Sequence, residues 1–187
     1  MMTRTFHSDG ANVEIIESYT VPGRAHPAGS KRALPIKGGR FVVVDANRKV
    51  KDWQHRVATV VAEGRREAGK TDIIDGPVAL LVEFIFERPK SHFGTGKNSD
   101  RVKPGSPEFH VSKPDVTKLV RAVEDALTGV VYRDDSQVVL THAIKRYARD
   151  KQGSEARISI GRVEQPTTST RTKGDEHDGH SDGVEPA

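Results

Sequence analysis

Apolar positions along the chain switch between the two-residue period of strands and the 3.6-residue period of helices, and the switches outline a mixed domain. Residues 12–19 (NVEIIESY) alternate imperfectly and predict a first strand. The next stretch, VPGRAHPAGSKRALPIKGGR, is rich in Pro, Gly and cations and reads as a loop or an irregular hairpin. Residues 41–44 (FVVV) predict a short apolar strand. Asp45 or Asn47 can cap a following helix that runs to about Gly64, because Val50, Trp53, Val57, Val60 and Val61 recur on one face. Trp53 shares that valine stripe, so its place is the core rather than a base-stacking platform.

Residues 77–87 (PVALLVEFIFE) are nearly continuous in apolar and β-branched side chains and predict a central strand. Residues 115–128 predict a second helix burying Leu119, Val120, Val123, Ala126 and Leu127, with Gly129 placed to end it. Residues 138–147 and 156–163 predict two more strands, and the turn-like RDKQGSE between them suggests a hairpin. The expected fold is α/β (α+β mixed): one mixed β-sheet of about four to five strands packed with two helices. Residues 1–10 and 166–187 are poor in apolar side chains and are expected to be disordered, leaving 11–165 as the folded domain.

Composition narrows the partners. The two basic and five acidic side chains of residues 166–187, set against 30 basic and 26 acidic in the whole chain, leave residues 1–165 near +7. A basic body with an acidic tail favours a polyanionic partner. The absence of cysteine excludes disulfides, thiolate metal sites and cysteine nucleophiles, and fits a reducing interior. No apolar run is long enough to cross a bilayer, and MMTRTFHSDGANVEI has no signal-peptide core, so no membrane association and a cytoplasmic location are expected. Residues 89–114 form a long connection rich in Pro and Gly that carries Lys90, Lys97, Arg101, Lys103 and Lys113. Long loops in compact domains are usually functional or disordered, and this one reads as a DNA-gripping loop. His92 and His110 within it are expected to face DNA or solvent. His177 and His180 sit among acids in a polar tail that does not pre-organise a metal site.

Candidate chemistry concentrates in residues 113–139, KPDVTKLVRAVEDALTGVVYRDDSQVV. Asp115 opens the helix, where its carboxylate can cap backbone N–H groups or bind a cation. Asp134 and Asp135 lie in a polar turn before a strand. If the helix packs across that strand, the turn approaches the helix N-terminus, and Asp115 and Asp135 can share a cation. Magnesium suits such a pair, since it accepts one or two carboxylates and completes its shell with water and substrate phosphate. A cap and an ordinary Asp-Asp-Ser turn remain the structural alternatives.

KPDVTKLVRAVEDALTG followed by YRDDSQVV resembles the signature of the RusA-type Holliday-junction resolvases, crossover junction endodeoxyribonucleases common in phages and prophages. That signature runs Lys-Pro-Asp-x-Asp-[Asn/Lys]-Leu, then a helix with a basic residue and Asp-Ala-Leu, then a turn ending Asp-Asp-[Ala/Ser]-Gln-Val. A looser likeness covers about residues 20–163, including VKDWQHRVA and RPKSHFGTG. The resemblance implies a magnesium-dependent endonuclease, with manganese as a substitute, acting as a homodimer on branched DNA in a bacterial host. It makes Asp115 the first catalytic acid and Asp135 the acid ending the turn, with Asp134 beside it as a further metal candidate. Arg121 stands where the family often has a catalytic lysine. The second family acid falls on Thr117, whose hydroxyl supplies no negative charge. Lys90, Lys97, Arg101, Lys103, Lys113 and Lys118 become the expected DNA-binding cations. Three activities follow: a resolvase, a branched-DNA binder of the same fold disabled by Thr117, and a small basic protein that coats DNA without regard to shape.

Overall fold

A computed structural model of the chain describes residues 4–8, 11–29, 31–45 and 49–164. The acidic stretch from 166 onward, with its two histidines, lies outside the described residues. Among the described residues seven strands and two helices follow in order: β1 (Arg4–Ser8), β2 (Ala11–Pro22), β3 (Lys31–Ile36), β4 (Arg40–Asp45), α1 (Lys49–Glu67), β5 (Val78–Phe86), α2 (Val116–Leu127), β6 (Val138–Tyr147) and β7 (Glu155–Val163). Five strands form one mixed sheet in the order β1-β2-β7-β5-β6, and β3 and β4 form a separate hairpin.

The expected mixed sheet with two helices is therefore what the chain builds, and three local differences stand out. β6 and β7 are not a hairpin. β5 lies between them, parallel to β6 and antiparallel to β7. The RDKQGSE turn thus carries the chain over β5 rather than into a neighbouring register. The irregular hairpin is regular over residues 31–45, with Gly38 at φ +97° and Gly39 at φ +73° making its turn. Arg4–Ser8 pairs with Ala11–Ile15 as β1, within the stretch 1–10 expected to be disordered.

Both helices pack on one face of the sheet. Val50, Trp53, Val57 and Val61 of α1 and Leu119, Val120, Ala122, Val123, Ala126 and Leu127 of α2 are buried against Val78, Leu80, Val82, Phe84 and Phe86 of β5. Alternate residues of β5 face the other way, where Glu83 meets Arg146 at 2.6 Å and Arg157 at 3.5 Å. The continuous apolar run of β5 thus reflects a central strand flanked by β6 and β7, on which Leu81 and Glu83 alone are partly exposed. A buried ion pair ties α1 to β2: Arg65 Nη1 donates to Glu17 Oε1 at 2.6 Å, and the Tyr19 hydroxyl donates to Glu17 Oε2 at 2.8 Å.

β5, α2 and β6 form a parallel β-α-β unit, so α2 must return antiparallel to both strands. Side-chain contacts agree. Lys145, near the end of β6, donates to the carbonyls of Ser112 and Pro114 at 2.8 and 2.7 Å, just before α2 begins. Thr141, nearer the start of β6, hydrogen-bonds Glu124 towards the end of α2.

Candidate functional site

Asp115 is the N-cap of α2, yet its side chain makes no capping hydrogen bond. The carboxylate is exposed and lies 3.5 Å from Lys118 Nζ. Capping therefore does not account for it, and its oxygens remain open to solvent or a cation. Lys145 holds the two preceding carbonyls, and the Lys113–Pro114 peptide is cis.

The Asp134–Asp135 turn does not approach that end. Asp134 caps a short 3-10 turn, Asp135–Gln137, by accepting from Ser136 N at 2.9 Å, while the Gln137 side chain reaches back to the Asp134 N–H. Hydrogen bonds from the Ser136 side chain first, and then from its backbone N–H, hold the Asp134 carboxyl below the usual carboxylate range. One of the expected metal candidates is thus engaged in shaping its own turn. The turn is anchored at the C-terminal half of α2: Tyr132 Oη donates to the Glu124 carbonyl at 3.1 Å, and the Gln137 amide donates to Ile74 and Gly76. Nine residues separate Asp115 from Glu124, about 13 Å of helix rise. Within one chain Asp115 and Asp135 sit at opposite ends of α2, because the helix runs antiparallel to β6.

The residue that Asp135 does meet is Glu124. Glu124 is half-buried. Burial first, then the charges of Asp135 and Asp125, raise its pKa above the ordinary glutamate value, while Thr141 and Arg121 pull it back. The signal was present in the sequence as a glutamate seven residues beyond Thr117, on the same helical face, but only the return of the chain brings Asp135 to it. Asp125 accepts from Gln54 Nε2 of α1 at 3.0 Å. Arg121 and Thr117 are exposed on the free side of the helix.

Among the described residues no group of three or more His, Cys, Asp or Glu side chains is placed to hold a metal. The donors come in smaller sets, Asp115 at one end of α2 and Glu124 with Asp135 at the other. Such carboxylate sets fit magnesium, which needs few protein ligands when phosphate and water complete its shell.

The long basic connection is folded. Phe93 pairs with Val102, Gly94 N donates to the Arg101 carbonyl at 2.9 Å, and Lys103 N donates to the His92 carbonyl at 2.9 Å. Arg88 pins its base, donating to the carbonyls of Ala148 and Pro107 at 2.6 and 2.9 Å. Lys90, Lys97, Arg101, Lys103, Lys113 and Lys118 are all exposed. His110 departs from expectation. It is buried, stacked on Phe86 with centroids 4.1 Å apart, because Phe109 bridges to Arg146 and draws the loop onto the sheet edge. Burial, and then Lys145, hold its pKa below the usual histidine value. A second basic region escaped the motif: a cavity of about 270 Å³ lined by Arg24, His26, Lys49, Asp52, Trp53 and Arg56. Burial, followed by Lys49, Arg24 and Arg56, keeps His26 neutral more readily than a free histidine.

Residues 24–160 match the family described as Endodeoxyribonuclease RusA. The chain is also 33% identical over 132 residues to the uncharacterized protein YqaN of Bacillus subtilis (strain 168), an alignment covering 71% of this chain and 88% of that protein. The matched span begins at the basic cavity, takes in the folded basic loop and both ends of α2, and closes within β7; the chain belongs to the RusA endodeoxyribonuclease family.

Proposed function

We propose that this endonuclease resolves Holliday junctions by magnesium-dependent hydrolysis of phosphodiester bonds in opposed strands. The observation that carries the reading is Asp115, a helix-opening carboxylate freed from capping inside a family signature. A bound magnesium ion would supply charge stabilisation to the phosphate and acidity to an attacking water. Asp115 at one end of α2, or Glu124 with Asp135 at the other, would hold it, and Asp134 keeps the turn in shape. Arg121 offers its guanidinium fork to the phosphate. Lys90, Lys97, Arg101, Lys103, Lys113 and Lys118 bind phosphates and fix orientation without reading bases, so affinity falls steeply with salt. Junction shape supplies the discrimination.

A second reading has one observation in its favour: Thr117 presents an exposed hydroxyl where the family signature has an acid. It makes the chain a junction binder with little or no cleavage. Cleavage of a labelled synthetic four-way junction in magnesium or manganese separates the two, with Thr117→Asp alongside. Symmetric nicks by the unchanged chain establish the resolvase. Nicks only after Thr117→Asp establish the disabled binder. Equal binding of linear and branched duplex at moderate salt removes both.

A further inference from the structure

The basic cavity at the start of α1 takes no part in the site built from the acids. Two segments wall it. Lys49, Asp52, Trp53 and Arg56 recur at helical spacing on one face of α1, Arg24 and His26 follow β2, and together they enclose about 270 Å³. Three cations thus face one carboxylate. Arg24, Lys49, Asp52 and Arg56 are exposed, His26 is half-buried, and Trp53 is buried.

The cations are held in place. Arg56 Nη1 donates to the Pro22 carbonyl at 3.2 Å, and a Cβ added at Gly23 would sit 2.1 Å from that nitrogen. Gly23, at φ +103°, therefore lets the guanidinium rest against bare backbone. The Arg24 guanidinium lies over the Phe86 ring, 5.5 Å from its centroid. Trp53 contributes a different kind of group. Its indole Nε1 is buried and has no hydrogen-bond partner among the described residues. An indole N–H can only donate, and a buried donor left without an acceptor calls for one from outside the chain. An acceptor that also answers an excess of positive charge is an anion, and guanidinium forks match phosphate oxygens in geometry. Lys49 opens α1, so the positive end of the helix dipole adds to the attraction.

We infer that this cavity seats one phosphoryl group, with Arg24, Lys49 and Arg56 supplying charge and Trp53 Nε1 a hydrogen bond. Ala28 N donates to the Lys118 carbonyl at 2.8 Å, which ties the segment carrying Arg24 and His26 to the first turn of α2. Lys145, paired with Phe84 near the end of β5, holds the Pro114 carbonyl just before Asp115, and Arg24 covers Phe86 at the end of that strand. Both helices therefore begin at the same end of the sheet. A nucleic-acid strand passing Asp115 can seat a further phosphate in the cavity. That use rests on the proposed role of Asp115; the binding of phosphate does not.

Trp53 is the one tryptophan of the chain, so its fluorescence reports on the cavity directly. Inorganic phosphate titrated into the full chain at constant ionic strength is expected to shift that emission saturably, where chloride does not. Arg24→Gln and Arg56→Gln are each expected to raise the half-saturating concentration about tenfold, the worth of one charge-assisted hydrogen bond. Arg66→Gln, exposed in the last turn of α1, is expected to leave it unchanged. Circular dichroism checks that each variant is folded. Competition then identifies the source. Displacement of phosphate by an oligothymidylate without a terminal phosphate assigns the site to the DNA backbone. Displacement only by its 5′-phosphorylated form or by thymidine monophosphate assigns it to a phosphomonoester. Either result upholds the inference. A response without saturation, the same response to chloride, or an affinity unmoved in both arginine variants overturns it. Phosphate bound as expected by a chain that cuts no junction upholds the site and removes only the resolvase reading.

Discussion

Replacing Arg65 with methionine isolates the buried charge that locks α1 to β2. The Glu17 carboxyl side chain is only 3% exposed, and Arg65 approaches it at 2.6 Å while also donating to the Asp72 carbonyl. Methionine keeps most of the aliphatic stem, so packing changes little and the charge is the main loss. Removing one partner of a buried pair costs about 3–5 kcal/mol, since the other charge is left in a poor solvent. Tyr19 and Lys70 still reach Glu17, at 2.8 and 3.6 Å, which puts the expectation at the low end, about 3 kcal/mol. With a urea slope of about 2 kcal/mol/M, the unfolding midpoint falls by about 1.5 M at unchanged slope. The double variant Glu17→Leu/Arg65→Met removes both charges and is expected to recover most of that loss. Urea melts followed by circular dichroism at neutral pH measure all three proteins. A single-variant loss below about 1 kcal/mol, or a double variant no better than Arg65→Met, would refute the view that desolvation of Glu17 governs this site.

Glu124 binds its proton more tightly folded than unfolded, so its ionisation opposes folding. Stability is lost as pH rises from the ordinary glutamate value through the raised one. Glu124→Gln should therefore stabilise the metal-free protein at neutral pH and change little in acid, and a series of thermal melts across pH checks it. His110 has the opposite sign: its folded pKa is depressed, so stability should fall as pH drops below 6.5, and His110→Phe should flatten that slope. Gly94→Ala would set a Cβ 2.5 Å from the Asn98 carbonyl oxygen, forcing the basic loop open. Junction affinity should drop several-fold while the urea midpoint moves little; unchanged affinity in a filter-binding assay would detach the loop from DNA binding.

Local structure was largely legible in the sequence. The valine stripe around Trp53 gave α1, the unbroken apolar run gave β5, and the RusA-like segment gave α2 and its acids. Neighbour relations were less legible. Periodicity identifies β6 and β7 but cannot say that β5 separates them, and a polar seven-residue turn looks the same whether it closes a hairpin or crosses a strand. The same blind spot governed the site: the motif names Asp115 and Asp135, while the direction of α2 decides which acids can meet. His110 was read as a loop histidine because its burial comes from the edge pairing of residues 108–110, a contact between segments that no local pattern records.

The order β1-β2-β7-β5-β6 also bears on how the protein is made. β2 and β5 both pair with β7, the last of the described strands, and β2 lies more than 130 residues before it. While the chain is still on the ribosome, the two earlier strands have only each other's neighbourhood and no shared partner. The sheet can close only after β7 has emerged from the exit tunnel, and contacts of such long sequence separation form slowly. A translational stall before Glu155 would therefore release a chain with two naked strand edges, a substrate for chaperones and proteases rather than a smaller nuclease.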